Sequence, residues 1–133
     1  MLKFNPTTPV KFYAKTTEYI PGQGQSTTWT LVTSGAYDTF YCEWTGTFGE
    51  RALRAQALGV SDSATVRTFY SPAVYAKLRT EQVVVIKNGD ATAIVDGVPD
   101  KNNPNVYELW GGADNVKEDN RFIEFRVRRY EGL

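Results

Sequence analysis

Apolar and polar residues alternate along much of this chain, which is the pattern of β-strands with one buried face. Three segments carry the alternation most clearly, with these inward-facing sets: Val10, Phe12 and Ala14; Phe40, Cys42 and Trp44; Ile123, Phe125 and Val127. Further strands are predicted over residues 28–32, 63–70, 82–87, 91–95 and 106–110. Short strands at close spacing predict a mainly β protein: a small antiparallel β-barrel, or rolled sandwich, with one short helix.

Turn and cap signals separate these strands. Asn88-Gly89 predicts a two-residue hairpin between residues 82–87 and 91–95, because both residues tolerate positive φ. Residues 20–26 are rich in glycine and glutamine and predict a flexible loop. The capping-box spacing from Thr47 to Glu50 predicts a helix over residues 50–58. Ser71-Pro72 can start a further helical turn through Leu78.

Length and composition restrict the function. A chain of 133 residues suits a single domain, which we place at residues 10–133 after an N-terminal arm at residues 1–9. Fifteen basic and fifteen acidic residues cancel, so the chain lacks the cationic surplus that nonspecific duplex binding requires. The longest apolar run, residues 83–86, is too short to span a bilayer. We expect no membrane partner, and synthesis in the cytoplasm.

Reactive chemistry has few candidates. The chain has no histidine and one cysteine, so a usual zinc site is close to excluded, and Cys42 is expected to be a buried structural thiol. A hydrolytic carboxylate pair would have to come from Glu43, Glu81, Glu108 and Glu124, which no spacing singles out. We therefore expect no enzyme activity and no cofactor.

Two loops and one strand resemble ligand sites only weakly. Asp96, Asp100, Asn102, Asn103 and Asn105 could form a calcium loop, but the spacing favours a turn-rich loop. Gly22-Gln23-Gly24 lacks the residues that complete a phosphate loop. The last strand interleaves arginines with aromatics, as single-strand nucleic-acid binders do, although ion pairing on a surface strand explains it better.

The order of segments from Val10 to Trp110 resembles the head–tail adaptor, or head-closure (stopper), family of tailed bacteriophages. The resemblance covers roughly three-quarters of the chain and is positional, without a chemical signature. The segments that carry it are an opening strand, a Gly-rich loop and Trp29; Tyr37-Asp38-Thr39-Phe40-Tyr41-Cys42-Glu43-Trp44; the helix over residues 50–58; Ala64-Thr65-Val66-Arg67-Thr68-Phe69-Tyr70; Val83-Val84-Val85-Ile86-Lys87-Asn88-Gly89; and Ala93-Ile94-Val95-Asp96-Gly97-Val98-Pro99-Asp100.

This resemblance implies a virion protein of the phage neck, synthesised in the host cytoplasm. Such proteins form a ring, of twelve copies in the family, between the portal and adaptor rings and the tail tube or tail-completion protein. They help to retain packaged DNA, which passes through without specific binding, and an isolated protomer can stay monomeric. The residues that the resemblance implies to face the channel are Thr47, Phe48, Glu50, Arg51 and Arg54.

The N-terminal arm and the long last strand are the segments that we expect to contact a neighbouring subunit or partner ring. The predicted interface residues are Phe4, Gln23, Gln25, Arg126, Arg128 and Tyr130. The alternative function is an oligonucleotide- or carbohydrate-binding β-barrel module. Its stacking platforms would be Tyr13, Tyr41, Phe69, Tyr70 and Trp110.

Overall fold

The computed structural model describes residues 4–46, 63–118 and 120–130. Those residues are mainly β. The strands are β1 (Thr8–Ile20), β2 (Gly24–Leu31), β3 (Phe40–Gly46), β4 (Ala64–Phe69), β5 (Val83–Lys87), β6 (Ile94–Val95), β7 (Val98–Pro99), β8 (Val106–Leu109), β9 (Asp114–Asn115) and β10 (Phe122–Arg129). The helices are α1 (Pro72–Thr80) and a short 3-10 turn (Val116–Glu118).

A closed antiparallel barrel forms because β1 is long enough to pair with three strands. Its residues Thr8 to Val10 pair with β3, Val10 to Ala14 with β5, and Tyr13 to Ile20 with β2. The remaining pairs join β3 to β4, β4 to β10, β10 to β8 and β8 to β5. Six strands thus close on themselves, which confirms the predicted small antiparallel β-barrel, while β2 stays outside the ring of strands.

The barrel interior holds the inward-facing sets of the sequence. Phe12 and Phe125 are essentially fully buried, and their ring centres lie 5.9 Å apart. Phe40 lies 5.4 Å from Phe12 at the edge of this core, where it is only partly buried. Because strand residues alternate between faces, β1, β3 and β10 each contribute every second side chain to one apolar core.

The apolar run of β5 is buried on both faces. Val83 and Val85 point into the barrel core. Val84 and Ile86 point outward and belong to a second cluster. The residues that complete this second cluster are Ala93, Val106 and Tyr130, with Tyr13, Trp29 and Ile94 packed against it. A strand covered on both sides needs a continuous apolar run rather than alternation, which explains the sequence at residues 83–86.

The predicted flexible loop at residues 20–26 is wrong, since strand pairing continues to Ile20 and resumes at Gly24. The backbone N–H of Gln23 donates to the carbonyl of Ile20 at 3.0 Å. Pro21 and Gly22, whose φ is +84°, occupy the two central positions of this turn. Proline followed by a glycine with positive φ favours a type II turn, so the glycines serve a defined hairpin.

The predicted hairpin at Asn88-Gly89 is half correct. Both residues have positive φ, +63° and +59°, as a two-residue turn requires. The strand after the turn does not pair with β5, however, because β1 and β8 already occupy the two edges of β5. Residues Ile94–Val95 pair instead with Val98–Pro99.

The helix that the structure describes is α1, which extends the predicted helical turn. The Ser71 hydroxyl accepts from the N–H of Val74 at 3.5 Å, and Pro72 occupies the first turn. Val74 and Leu78, one turn apart, are buried against the barrel core. The helix predicted over residues 50–58 lies outside the described residues. Strand β1 begins at Thr8, two residues before the predicted domain start.

Candidate functional site

The outer face of the barrel carries a row of aromatic side chains, Phe4, Tyr41, Phe69 and Phe122, which we call the outer aromatic row. Cys42, Thr68 and Ile123 point inward, so their neighbours in β3, β4 and β10 point outward. Phe69 lies opposite Phe122 in the β4–β10 register, with ring centres 6.0 Å apart.

Much of this row is accessible to a partner. Continuing the β3–β4 register, in which Cys42 opposes Thr68, places Tyr41 beside Phe69. Their exposed fractions are 57% and 59%. Adjacent exposed rings are rarer than scattered ones and characterise contact or ligand surfaces.

The N-terminal arm covers the other end of the outer aromatic row. The Phe4 ring lies 5.0 Å from Phe69 and 4.8 Å from Phe122. The backbone N–H of Asn5 donates to the Glu43 carboxylate at 2.8 Å. The Phe4 ring and this hydrogen bond therefore help to hold the described part of the arm on the barrel. The predicted interface residue Phe4 lies against its own barrel in the isolated chain.

Charged residues border the row. Glu43, Arg67 and Glu124 lie side by side across three strands. The guanidinium of Arg67 donates to the Glu124 carboxylate through Nε at 3.0 Å and Nη2 at 2.6 Å. The Arg67 and Arg121 guanidinium groups each lie 5.9 Å from the Phe122 ring centre. Cations over a ring face are attracted by its quadrupole, so they hold Phe122 in place.

The second candidate surface is the hairpin formed by residues 16–28, which we call the projecting hairpin. After Ala14 the pairing between β1 and β5 ends, and the final contact is a hydrogen bond from the Lys15 N–H to the Gln82 carbonyl at 2.8 Å. The two strands continue beyond it as a two-stranded ribbon. Most of its residues are exposed, including Tyr19 at 72%.

The predicted interface residues fall into different settings. Gln23 and Gln25 are exposed on the projecting hairpin, and Arg126 is exposed on β10. Arg128 donates from Nε to the Glu108 carboxylate at 3.0 Å. Strand β10 has partners along both edges. Over most of its length it therefore offers side chains to a neighbour rather than an unpaired edge.

Tyr130, also predicted at an interface, is buried in this chain. Its ring lies 6.4 Å from that of Trp29 in an edge-to-face arrangement. Burial, and to a lesser degree the charge of Glu108, raises the pKa of Tyr130. A cleft of about 450 Å³ opens beside its ring, lined also by Val95, Val98 and Pro99. Tyr130 joins β10 to β2, a contact that no sequence pattern indicates.

The predicted channel-facing residues, Thr47, Phe48, Glu50, Arg51 and Arg54, lie outside the described residues. Of the predicted stacking platforms, the structure brings Tyr41 and Phe69 together. Tyr13 packs on the second cluster, and the Tyr70 ring lies 5.7 Å from Tyr75. Trp110 is half-buried at the end of β8. The five do not form one surface.

Cys42 is a buried thiol, as its strand position predicts. Its exposed fraction is 0%, and burial raises its pKa to about 12, with a smaller opposing effect from Thr68. Thiolates are the reactive form of cysteine, and this environment suppresses them. Cys42 lies opposite Thr68 in the β3–β4 register and belongs to the buried core of the barrel.

The asparagine-rich loop is organised by Asp90, which the sequence interpretation missed. Its carboxylate accepts from the Thr92 N–H at 2.9 Å and hydroxyl at 2.7 Å. The Asn103 and Asn105 side-chain amides donate to it at 3.0 and 3.1 Å. These hydrogen bonds hold the Asp90 pKa well below its usual range. Amide donors aimed at the carboxylate fit a turn-rich loop better than a calcium site. The sequence feature that could have indicated this role of Asp90 is its spacing from Thr92, two residues later, which is typical of an Asx turn.

The four carboxylates considered for hydrolysis have separate partners. Glu43 accepts from Asn5, Glu81 from Lys77, Glu108 from Arg128 and Glu124 from Arg67. Over the described ranges, no group of three or more His, Cys, Asp or Glu residues is arranged to hold a metal ion.

Comparison of the chain with protein-family models and with curated proteins gives no match. Within the described part of the chain, no helix has the length and apolar content needed to cross a membrane.

Proposed function

We propose that this protein is a structural subunit of the neck of a tailed bacteriophage. In this role it acts in head closure and head–tail connection, as a ring between the portal-adaptor ring and the tail that helps to retain packaged DNA. Its partners are copies of itself, the portal or adaptor ring proteins, and a tail tube or tail-completion protein. It works by contact and uses no cofactor.

The observation that carries the proposal is the projecting hairpin on a closed barrel. Closure leaves the six barrel strands without free edges, so rigid strand pairing holds the core together. The hairpin extends from this base with exposed side chains on β1 and β2. A rigid domain with an extended arm can dock on a neighbouring subunit without exposing its core, which a ring subunit requires.

The outer aromatic row gives a second contact surface at the other end of β1. Tyr41 and Phe69 supply exposed apolar area, and Arg67, Glu43 and Glu124 give it a polar border. Aromatic residues with a polar rim are typical of protein–protein interfaces. Two separate surfaces on one subunit allow contact with one neighbour in the ring and with a different ring above or below.

Cryo-electron microscopy of a reconstituted neck tests the proposal. Portal-adaptor rings purified from particles that lack this protein are mixed with it and imaged. We expect added ring density beneath the adaptor. Phe69→Ser should weaken it, whereas Tyr37→Ser, which changes a more exposed aromatic (73% against 59%) outside the outer aromatic row, should not. The absence of added density with the unmodified protein would count against the proposal.

The alternative function is an oligonucleotide- or carbohydrate-binding module. The adjacent exposed rings of Tyr41 and Phe69, with Arg67 next to them, favour it over a generic barrel. Base stacking on aromatic side chains contributes about 1–3 kcal/mol per base. A fluorescence titration with single-stranded DNA at two salt concentrations tests it. Micromolar binding that weakens with salt and is lost in Phe69→Ser would support this function over the neck subunit.

A further inference from the structure

In the part of the chain that the structure describes, the far side of β2 is an unpaired strand edge. The Val32 N–H donates to the Phe12 carbonyl at 2.8 Å, which marks Val32 and Phe12 as a hydrogen-bonded pair. Backbone groups alternate in direction along a strand, so Thr30, Thr28 and Ser26 also face β1. The backbone N–H and C=O groups of the intervening residues face away from β1. Those residues are Gln25, Thr27, Trp29 and Leu31.

Among the described residues, no strand other than β1 pairs with β2. The neighbouring strand β7 pairs with β6. Side-chain contacts anchor the face of β2 that carries Trp29, whose ring packs against Tyr130 and lies 5.9 Å from the Lys15 ammonium group. The row of outward backbone groups is thus in position to accept another strand.

This edge lacks the features that protect most edge strands. Proteins commonly block such edges with charged side chains, prolines, bulges or very short strands. Strand β2 has eight residues, Gly24 to Leu31, and contains no charged residue and no proline. Its register with β1 runs without interruption from Leu31 to Gly24, so no bulge twists it away. An exposed edge of this length and composition is a template for pairing with a strand of another chain.

We propose that β2 pairs with β2 of a second copy of this chain, antiparallel, about a two-fold axis at Thr28. In this register the outward residues meet each other: Gln25 faces Leu31 of the second copy, and Thr27 faces Trp29. Each opposed pair exchanges two backbone hydrogen bonds, giving about eight in total. No charged residues oppose each other, and a threonine beside a tryptophan is a favourable cross-strand pair. The strand is therefore complementary to itself.

This contact uses β2 of the projecting hairpin, which the ring proposal also uses, but it has a different symmetry. A two-fold contact is complete at two copies, whereas a ring requires contact between two different surfaces of each subunit. The dimer can exist whether or not the chain belongs to a phage neck. A monomer mass would contradict the dimer alone, and missing ring density would contradict the neck subunit alone. The outer aromatic row lies on β3, β4 and β10, and the dimer leaves it accessible.

Cysteine cross-linking tests the register. Thr28 lies on the two-fold axis as a non-hydrogen-bonded pair, so the two Cα atoms lie about 4.5 Å apart, within the range for a disulfide. Under mild oxidation Thr28→Cys should give a covalent dimer. Ser26→Cys is the matched control, because its two copies are offset by four residues and lie about 14 Å apart. The native Cys42 is fully buried and does not compete.

Light scattering gives the second measurement. The unmodified chain at about 100 μM is expected to show a mass approaching twice that of one chain. Thr27→Pro should shift it to the monomer mass, because its outward N–H makes no bond to β1 and proline is tolerated there. Circular dichroism checks that this variant stays folded. Equal cross-linking of Thr28→Cys and Ser26→Cys, or a monomer mass for the unmodified chain, would overturn the proposed pairing.

Discussion

Replacing Phe12 with alanine should destabilise the barrel strongly. Phe12 has no exposed surface, and its ring contacts the rings of Phe40 and Phe125. It lies in β1, the strand whose pairing with both β3 and β5 closes the barrel. Truncating a buried phenylalanine costs about 3–5 kcal/mol, the sum of lost burial and the cavity left behind. Domains have a total stability of about 5–15 kcal/mol, so Phe12→Ala should remove a large part of it.

Urea unfolding followed by tryptophan fluorescence measures this change. With a slope of about 2 kcal/mol per molar urea, a loss of 4 kcal/mol lowers the unfolding midpoint by roughly 2 M. The matched control is Phe69→Ala, the same substitution at a residue of the outer aromatic row that is 59% exposed. We expect a loss of about 1 kcal/mol or less there, because most of that ring already contacts solvent.

The comparison of the two variants tests the assignment of faces. If β4 or β1 were shifted by one residue in register, every side chain of that strand would change face. Equal losses for Phe12→Ala and Phe69→Ala, or a larger loss for Phe69→Ala, would refute the assignment. A double-mutant cycle between Phe12 and Phe125 should add a coupling of about 0.5–1.5 kcal/mol from their edge-to-face contact.

Three further predictions follow from individual side chains. Because burial raises the Cys42 pKa to about 12, the folded chain at pH 8 holds on the order of a thousandfold less thiolate than a free cysteine. Thiol labelling in native buffer should therefore be far slower than in denaturant, and equal rates would contradict burial. The depressed pKa of Asp90 means that its stabilising effect is complete above about pH 4 and is lost as the pH falls below that value. Asp90→Asn should reduce the loss of stability on acidification, as measured by thermal unfolding between pH 7 and 3. The Arg67–Glu124 ion pair is about one-third exposed at both side chains, so a double-mutant cycle should give a coupling of about 0.2–1 kcal/mol. A coupling well above 2 kcal/mol would mean that the pair is more shielded from water than the structure indicates.

The strands that line the barrel core can be predicted from the local pattern of residues alone. The period-two sets around Phe12 and Phe125 are local properties, because each strand must place every second residue in the apolar interior. The turn at Asn88-Gly89 was equally predictable, because asparagine and glycine tolerate a positive φ more readily than other residues do. These features give the fold class without any knowledge of which strands are neighbours.

Strand pairing and the exposure of the described surfaces depend on contacts between segments that are distant in sequence. The strand after Asn88-Gly89 does not return along β5, because both edges of β5 are taken by strands distant in sequence. The outer aromatic row joins Phe4, Tyr41, Phe69 and Phe122, which come together through registers that leave no periodic signal. Among the described strands, the outer edge of β2 is unpaired because β1 extends beyond the residues that pair with β5, and only β2 pairs with this extension. Hydrogen bonding between strands is specified by backbone groups that every sequence shares, so local pattern predicts a strand but not its neighbour.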